Sequence, residues 1–425
     1  MALELDLGRR LGGEVSGLRR LLGGASRETW AFELEGRPLV VRRDPAGAPR
    51  GGAMRREAEL LRAAARAGVP VPEVVDADDT SIVMNWLDGE TIARRILRDD
   101  AYAVARSRLT EQLADALARL HRGIAPRAVD GLPEPVDVLA DLRDMLDGFG
   151  EPHPALELGL RRLQQSRSAP TERVVVHGDF RLGNLMVDSA GLVGVLDWEL
   201  AHIGDAAEDL GWMCVRSWRF GSRLPVAGVG EREALLTSYA AAGGPKVDAE
   251  TLSWWEAYGT LRWAVICVQQ AATHLSGAVR SVELAVIGRR ICEVELDLLD
   301  LLVGPQPIEA DPPASPEDGP HDRPTTSELL AASREWLAGV ALAGRDAFLA
   351  RVVDRALVTV EREITLGPTL ASRHRERLDE IGYADDAELA AGIRNGDDRQ
   401  AVVDAVRETV VDKLRVADPK QLSDR

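Results

Sequence analysis

Within a stretch of the chain that is otherwise helical, residues 174–196 break into a strand, a loop and a hairpin. Before them, Leu109, Leu113, Leu117 and Leu120 form one apolar helical stripe that ends at His121. Val174-Val175-Val176 then reads as a short buried strand running into His177-Gly178-Asp179. Leu185 to Val187 and Leu192 to Leu196 read as paired strands that turn at Asp188-Ser189-Ala190-Gly191. A chain patterned this way must wrap helices around a small ribbon that carries a loop. Loops held on such a rigid frame are where functional side chains concentrate.

The N-terminal region has a different rhythm. Thr29 to Leu34 and Pro38 to Arg42 alternate as strands of a hairpin around Glu35-Gly36. Met54 to Ala67 has helical periodicity, closed by Gly68 and the extended Val69-Pro70-Val71-Pro72. Ser81 to Trp86 reads as a further strand before an Asp88-Gly89 turn. A small sheet with one helix, followed by a mostly helical region, defines an α+β chain. Gly304 to Pro324 is rich in proline and acid and reads as a linker. Beyond it, Thr325 and Glu328 make a capping-box pattern. Phe348, Val352, Val353, Ala356, Leu357 and Val360 line one helix, and Val402, Val403, Val406, Val410 and Leu414 line the last. The C-terminal part reads as an all-α bundle without a catalytic cluster.

The polar chemistry concentrates in His177-Gly178-Asp179-Phe180-Arg181-Leu182-Gly183-Asn184 and, past the hairpin, Leu196-Asp197-Trp198-Glu199. Phosphoryl transfer from a nucleotide needs a carboxylate to orient the attacking hydroxyl and oxygen ligands to hold magnesium on the phosphates. Asp179 fits the first role, and Asn184 and Asp197 fit Mg2+ ligands, because magnesium takes hard oxygen donors and keeps several waters. These segments resemble the catalytic and metal-binding segment of the aminoglycoside phosphotransferase family, which includes choline, homoserine and hydroxy-acid kinases. The resemblance implies a protein-kinase-like two-lobe fold with a small β-rich N-lobe and a mostly helical C-lobe. It implies ATP or GTP as phosphate donor. It covers residues 10 to 300 or so, and is strongest to a subgroup related to the kinase-like part of certain acyl-CoA dehydrogenases. The tail resembles an uncharacterised domain fused to such kinases.

On that resemblance, residues 1–86 form the nucleotide-binding N-lobe and 87–303 the catalytic and acceptor-binding C-lobe, followed by the linker 304–324 and the helical domain 325–425. Gly23-Gly24-Ala25-Ser26 corresponds to the phosphate-covering loop, where glycines admit backbone N–H groups to phosphate oxygens. The family's strand-end lysine is replaced by Arg42, with Glu57 on the next helix as its partner and Arg43 as the neighbour if the register is one residue off. Arginine is not a conservative replacement there. The chain holds only three lysines, Lys246, Lys413 and Lys420, so a general drift to arginine accounts for it. Met84 and Trp86 lie on the segment that joins the lobes, where the adenine ring binds. His121 takes a structural role, and Asp209 braces the catalytic loop.

The acceptor is a small hydroxylated molecule. Trp254, Trp255, Tyr258, Arg262 and Trp263 share one helical stretch, and an arginine framed by aromatics suits a carboxylate or phosphate of the acceptor. Glu199 and His202 are further acceptor-side candidates. An anionic acceptor, a hydroxy acid or hydroxyacyl thioester, is therefore expected. An aminoglycoside or macrolide resistance kinase and a nucleotide-binding pseudokinase with a partner-docking tail are the alternatives.

The formal net charge of −17 excludes a general nucleic-acid binder. No apolar run is long enough to cross a bilayer, and the acidic start lacks the pattern of a signal peptide, so a cytoplasmic protein is expected. Cys214, Cys267 and Cys292 show no metal or redox spacing and read as buried thiols. The sequence leaves the oligomeric state open.

Overall fold

The computed structural model describes residues 2–21, 27–44, 52–167, 172–312 and 324–423. The expected phosphate loop, Gly23, Gly24, Ala25 and Ser26, lies outside the described residues. The chain folds as two compact units, 1–136 with 168–256, and 137–167 with 257–425.

In the first unit, alternation of apolar residues builds a sheet of five antiparallel strands. They are β1 (Val15–Arg20), β2 (Glu28–Leu34), β3 (Arg37–Arg43), β4 (Val74–Ala77) and β5 (Ser81–Asn85), in the order β1-β2-β3-β5-β4. Glu35 and Gly36 turn β2 into β3 with φ of 50° and 81°. Two left-handed residues match the twist of the flanking strands. The period of two then sorts the faces. Phe32, Leu39, Val41 and Val83 are buried with Leu7 of the helix Ala2–Leu11. Ile82 and Met84 join Met54, Ala58 and Leu61 of the helix Ala53–Arg66 in the other cluster. Arg42 lies opposite Ile82 in the register, so it faces that helix, and Arg43 does not.

The helix Ala103–Gly123 buries the expected stripe of Leu109, Leu113, Leu117 and Leu120. Against it stand two ribbons: β6 (Arg173–Val176) pairs with β9 (His202–Asp205), and β7 (Leu185–Val187) pairs with β8 (Leu192–Val195). The segment after β5 is fastened to the second ribbon, because Glu90 and Val187 exchange backbone hydrogen bonds of 2.8 and 3.0 Å. The two meet closely. A Cβ on Gly89 would lie 2.6 Å from Met186, and one on Gly194 would lie 2.6 Å from Leu87.

In the second unit, Leu158 of the helix Pro154–Gln165 and Leu296 and Leu299 of the helix Ile291–Val303 are buried among Val402, Val406, Val410 and Leu414 of the helix Gln400–Ala417. The apolar stripe read at 402–414 thus shares one core with helices that precede the linker. Thr325 caps the helix Thr326–Gly339, accepting from Glu328 N at 3.3 Å while its own N–H donates to the Glu328 carboxylate at 2.7 Å. All three cysteines are buried thiols, and burial pushes Cys267 and Cys292 up to about 12.

Gly211, within the helix Ala206–Cys214, marks a tight crossing: a Cβ there would sit 2.5 Å from the Trp255 backbone carbon. Alanine normally stabilises a helix interior relative to glycine by about 1 kcal/mol. Here overpacking reverses the sign. Gly211→Ala is expected to lower the unfolding free energy by about 1–3 kcal/mol in a denaturant titration.

Candidate functional site

The loop that follows β6 is held from below by one buried carboxylate. Asp209 accepts from His177 N at 2.7 Å and Gly178 N at 2.9 Å, and lies 3.2 Å from His121 Nε2. His121 in turn meets the Tyr239 hydroxyl at 2.6 Å through Nδ1. Gly178 takes φ of 78°, and a Cβ there would meet Leu200 O at 2.5 Å, so glycine is required at the turn. Burial disfavours the Asp209 carboxylate, but the His121 hydrogen bond and the charges and N–H groups around it prevail, and its pKa is lowered.

This loop presents Asp179 in defined company. Its Oδ1 accepts from Arg181 Nε at 2.9 Å and from Trp212 Nε1 at 2.8 Å. Its Oδ2 accepts from Asn184 Nδ2 at 2.6 Å, and the same amide reaches Asp179 O at 3.0 Å. With the Asn184 nitrogen committed, its amide oxygen is left as the hard donor. The hairpin then delivers the next acid: Leu196 N donates to Asn184 O at 2.8 Å, and His177 Nε2 lies 2.9 Å from Leu196 O. Asp197 is therefore one residue from a backbone bond to Asn184. It takes φ of 63°, a left-handed conformation uncommon outside glycine and asparagine-like residues.

Arg42 joins the sheet to this assembly. It donates to Glu57 Oε1 at 2.6 Å and to Asp197 Oδ1 at 2.5 Å, with Glu199 at 3.7 Å. Burial disfavours its charge, yet Glu57 and Asp197 outweigh that and raise its pKa, so the guanidinium is permanently cationic. Arg43 instead lies 3.8 Å from Glu28.

The structure brings Asp179, Asn184, Asp197, Arg42 and Glu57 into one unit. Met84 is buried at the end of β5, and Trp86 donates to Asp88 Oδ1 at 2.8 Å, with Arg19 5.6 Å from its ring centre. Glu199 is set against Arg27 and Arg42. His202 is buried with Nδ1 2.9 Å from Leu200 O and Nε2 3.1 Å from Glu208. Arg262 belongs to the other unit.

Three participants escaped the sequence reading. Arg27, Trp212 and Tyr239 are ordinary residues at unremarked positions, and only tertiary proximity reveals them. Arg181 did have a signal, since it lies inside the motif two residues after Asp179. Its guanidinium stacks on Trp218 at 4.6 Å.

Among the described residues, no group of three or more His, Cys, Asp or Glu side chains could hold a metal. A magnesium site needs no such group where one carboxylate and one amide oxygen are completed by phosphates and water. Asp197 and Asn184 would supply that donor set. No helix of the described residues is long and apolar enough to cross a membrane.

Comparison with known proteins bears on the family and the fold. Residues 17–254 match the model of the phosphotransferase enzyme family, and residues 340–421 match a domain of unknown function, DUF6285. Mouse acyl-CoA dehydrogenase family member 10 is 30% identical over 245 residues, which is 53% of this chain and 23% of that protein. The chain thus spans about a quarter of that relative's length. A Ralstonia eutropha structure provisionally assigned as an aminoglycoside phosphotransferase is similar with a TM-score of 0.56 and 21% identity, over 71% of this chain and 97% of that one. Spectinomycin phosphotransferase, solved with ADP and spectinomycin, is similar with a TM-score of 0.53 and 13% identity, over 69% and 96%. These likenesses show the protein-kinase-like fold.

The depressed pKa of Asp209 fixes the sign of its pH effect. It contributes stability above the ordinary carboxylate pKa of about 4, lost as pH falls through the lower folded value. Asp209→Asn is expected to cost about 1–3 kcal/mol at neutral pH. In urea titrations across pH, the gap to the wild type should hold above about pH 5 and narrow below about pH 4.

Proposed function

This chain belongs to the phosphotransferase enzyme family, and we propose that it moves the γ-phosphate of ATP or GTP to a hydroxyl of a small anionic molecule. The observation that carries the reading is Arg42. One cation touches both Glu57 on the sheet's helix and Asp197 on the hairpin, so the phosphate side and the metal side of a nucleotide site meet at one side chain.

In this reading Asp179 orients the acceptor hydroxyl and takes its proton. Trp212 and Arg181 hold Oδ1, and Asn184 holds Oδ2, so the carboxylate is fixed in direction before substrate arrives. Such preorganisation is where most of the catalytic gain in phosphoryl transfer lies. Asn184 and Asp197 would hold Mg2+, which would supply charge neutralisation on the phosphates. Arg42 holds phosphate oxygens, and its fork of donors allows it to keep Glu57 as it does so. Met84 and Trp86 flank the base. Residues 1–86 carry the nucleotide and 87–303 the acceptor.

An anionic acceptor, such as a hydroxy acid or hydroxyacyl thioester, is supported by Arg181 more than by Arg262. Asp179 engages Arg181 through Nε and the Trp218 ring covers its face, and in this reading the terminal N–H groups meet the anionic group of the acceptor. The similarity to an acyl-CoA dehydrogenase family member leans the same way. Cytoplasmic residence suits such a substrate.

Asp179→Ala is expected to keep the melting temperature within a few degrees and to reduce phosphoryl transfer about a hundredfold or more, assayed by nucleotide turnover against a panel of hydroxy acids and their thioesters. MgATP or MgGTP should raise the melting temperature of the wild type, and Asp197→Ala should remove the magnesium-dependent part. Retained turnover in Asp179→Ala would assign the base elsewhere.

A further inference from the structure

Arg42 is not the only cation on Glu57. Arg27, directly before β2, also donates to this carboxylate, through Oε2, while Arg42 occupies Oε1. The Arg27 side chain is 3% exposed, and the Arg42 side chain 13%. Around Arg27 stand Asp44 at 3.4 Å and Glu199 at 3.8 Å. The charges form a row of rising exposure: Arg27, Glu57, Arg42, Asp197.

We propose that Arg27 is a positioning residue that keeps the buried Glu57 carboxylate compensated, so that Arg42 can give its donors to a nucleotide phosphate. The inference rests on the nucleotide-binding reading of this site. A buried carboxylate that loses its partner is strongly destabilised. If Arg42 were the sole cation on Glu57, each movement of Arg42 toward phosphate would carry that penalty, and phosphate affinity would be reduced by it. With Arg27 on the second oxygen, Glu57 remains paired whether Arg42 leans toward it or away. Arginine suits both places, because its guanidinium is weakly hydrated and bonds a carboxylate along an edge. The division of labour between two arginines explains how a site without a lysine on β3 binds phosphate.

The test uses the full-length protein and MgATP, with MgGTP in parallel. Affinity is measured by calorimetry, kcat and KM for the nucleotide by turnover, and folding by thermal melting. Arg27→Gln is expected to weaken the nucleotide about tenfold, with the change in KM rather than kcat, and Arg27→Lys should recover part of it. In a Glu57→Gln background the same Arg27→Gln step should cost less than threefold or so, since the Glu57 carboxylate that links Arg27 to Arg42 is gone. A merely structural arginine would lower the melting temperature and leave the affinity of the folded protein and this non-additivity unmoved, and that result overturns the proposal. If Arg27→Gln does not fold, Arg27→Lys decides: native affinity overturns the proposal, and affinity reduced at a native melting temperature supports it. A wild type that binds neither nucleotide overturns the kinase reading, and this proposal with it.

Discussion

The direction of the Asp179 side chain depends on a carboxylate that never meets solvent. Asp209 accepts two consecutive backbone N–H groups, of His177 and Gly178, and is itself approached by His121. Two N–H groups in sequence fix the peptide planes that enter the loop, and the left-handed Gly178 fixes the exit. Everything downstream inherits that geometry: the Asn184 amide on Asp179, the Leu196 backbone on Asn184, and Asp197 at the end of the hairpin. The buried anchor of Asp209, His121 and Tyr239 holds its shape because each partial loss leaves an unsatisfied polar group in a low dielectric.

On the other side of the site, the sheet supplies charge rather than shape. Strand alternation decides that Arg42 looks toward the helix Ala53–Arg66 while Arg43 looks away, and the helix answers with Glu57. The pairing of two arginines with one glutamate is dense for an interior, yet each guanidinium has further carboxylates within 4 Å: Asp44 and Glu199 for Arg27, Asp197 and Glu199 for Arg42. For Arg42 these neighbours more than offset the cost that burial places on its charge.

Much of this was legible in the sequence. The hairpin 28–43, the ribbon of the functional loop, the helical stripe 109–120 and the Thr325 cap depend on local patterns with short period, and they stand where the periodicity put them. The Arg42 and Glu57 pairing was readable through the family resemblance, which sets a strand-end cation against a glutamate of the next helix. What could not be read is what depends on distant segments meeting. The helix Ala2–Leu11 and β4 carry weak patterns of their own and form by packing on the sheet. Arg27 and Trp212 gained their partners from 30 and 33 residues away. The stripe 402–414 was visible, but not that Leu158 and Leu296 would cover it.

The contact of Gly89 with Met186 and of Gly194 with Leu87 has an evolutionary side. The segment that leaves the sheet and the ribbon that leads to Asp197 are packed so that a β-carbon on either glycine would collide with a side chain of the other. Two surfaces in that relation cannot drift separately, since one added carbon on one side must be answered by a smaller side chain on the other. Change at this seam has to come as a matched pair.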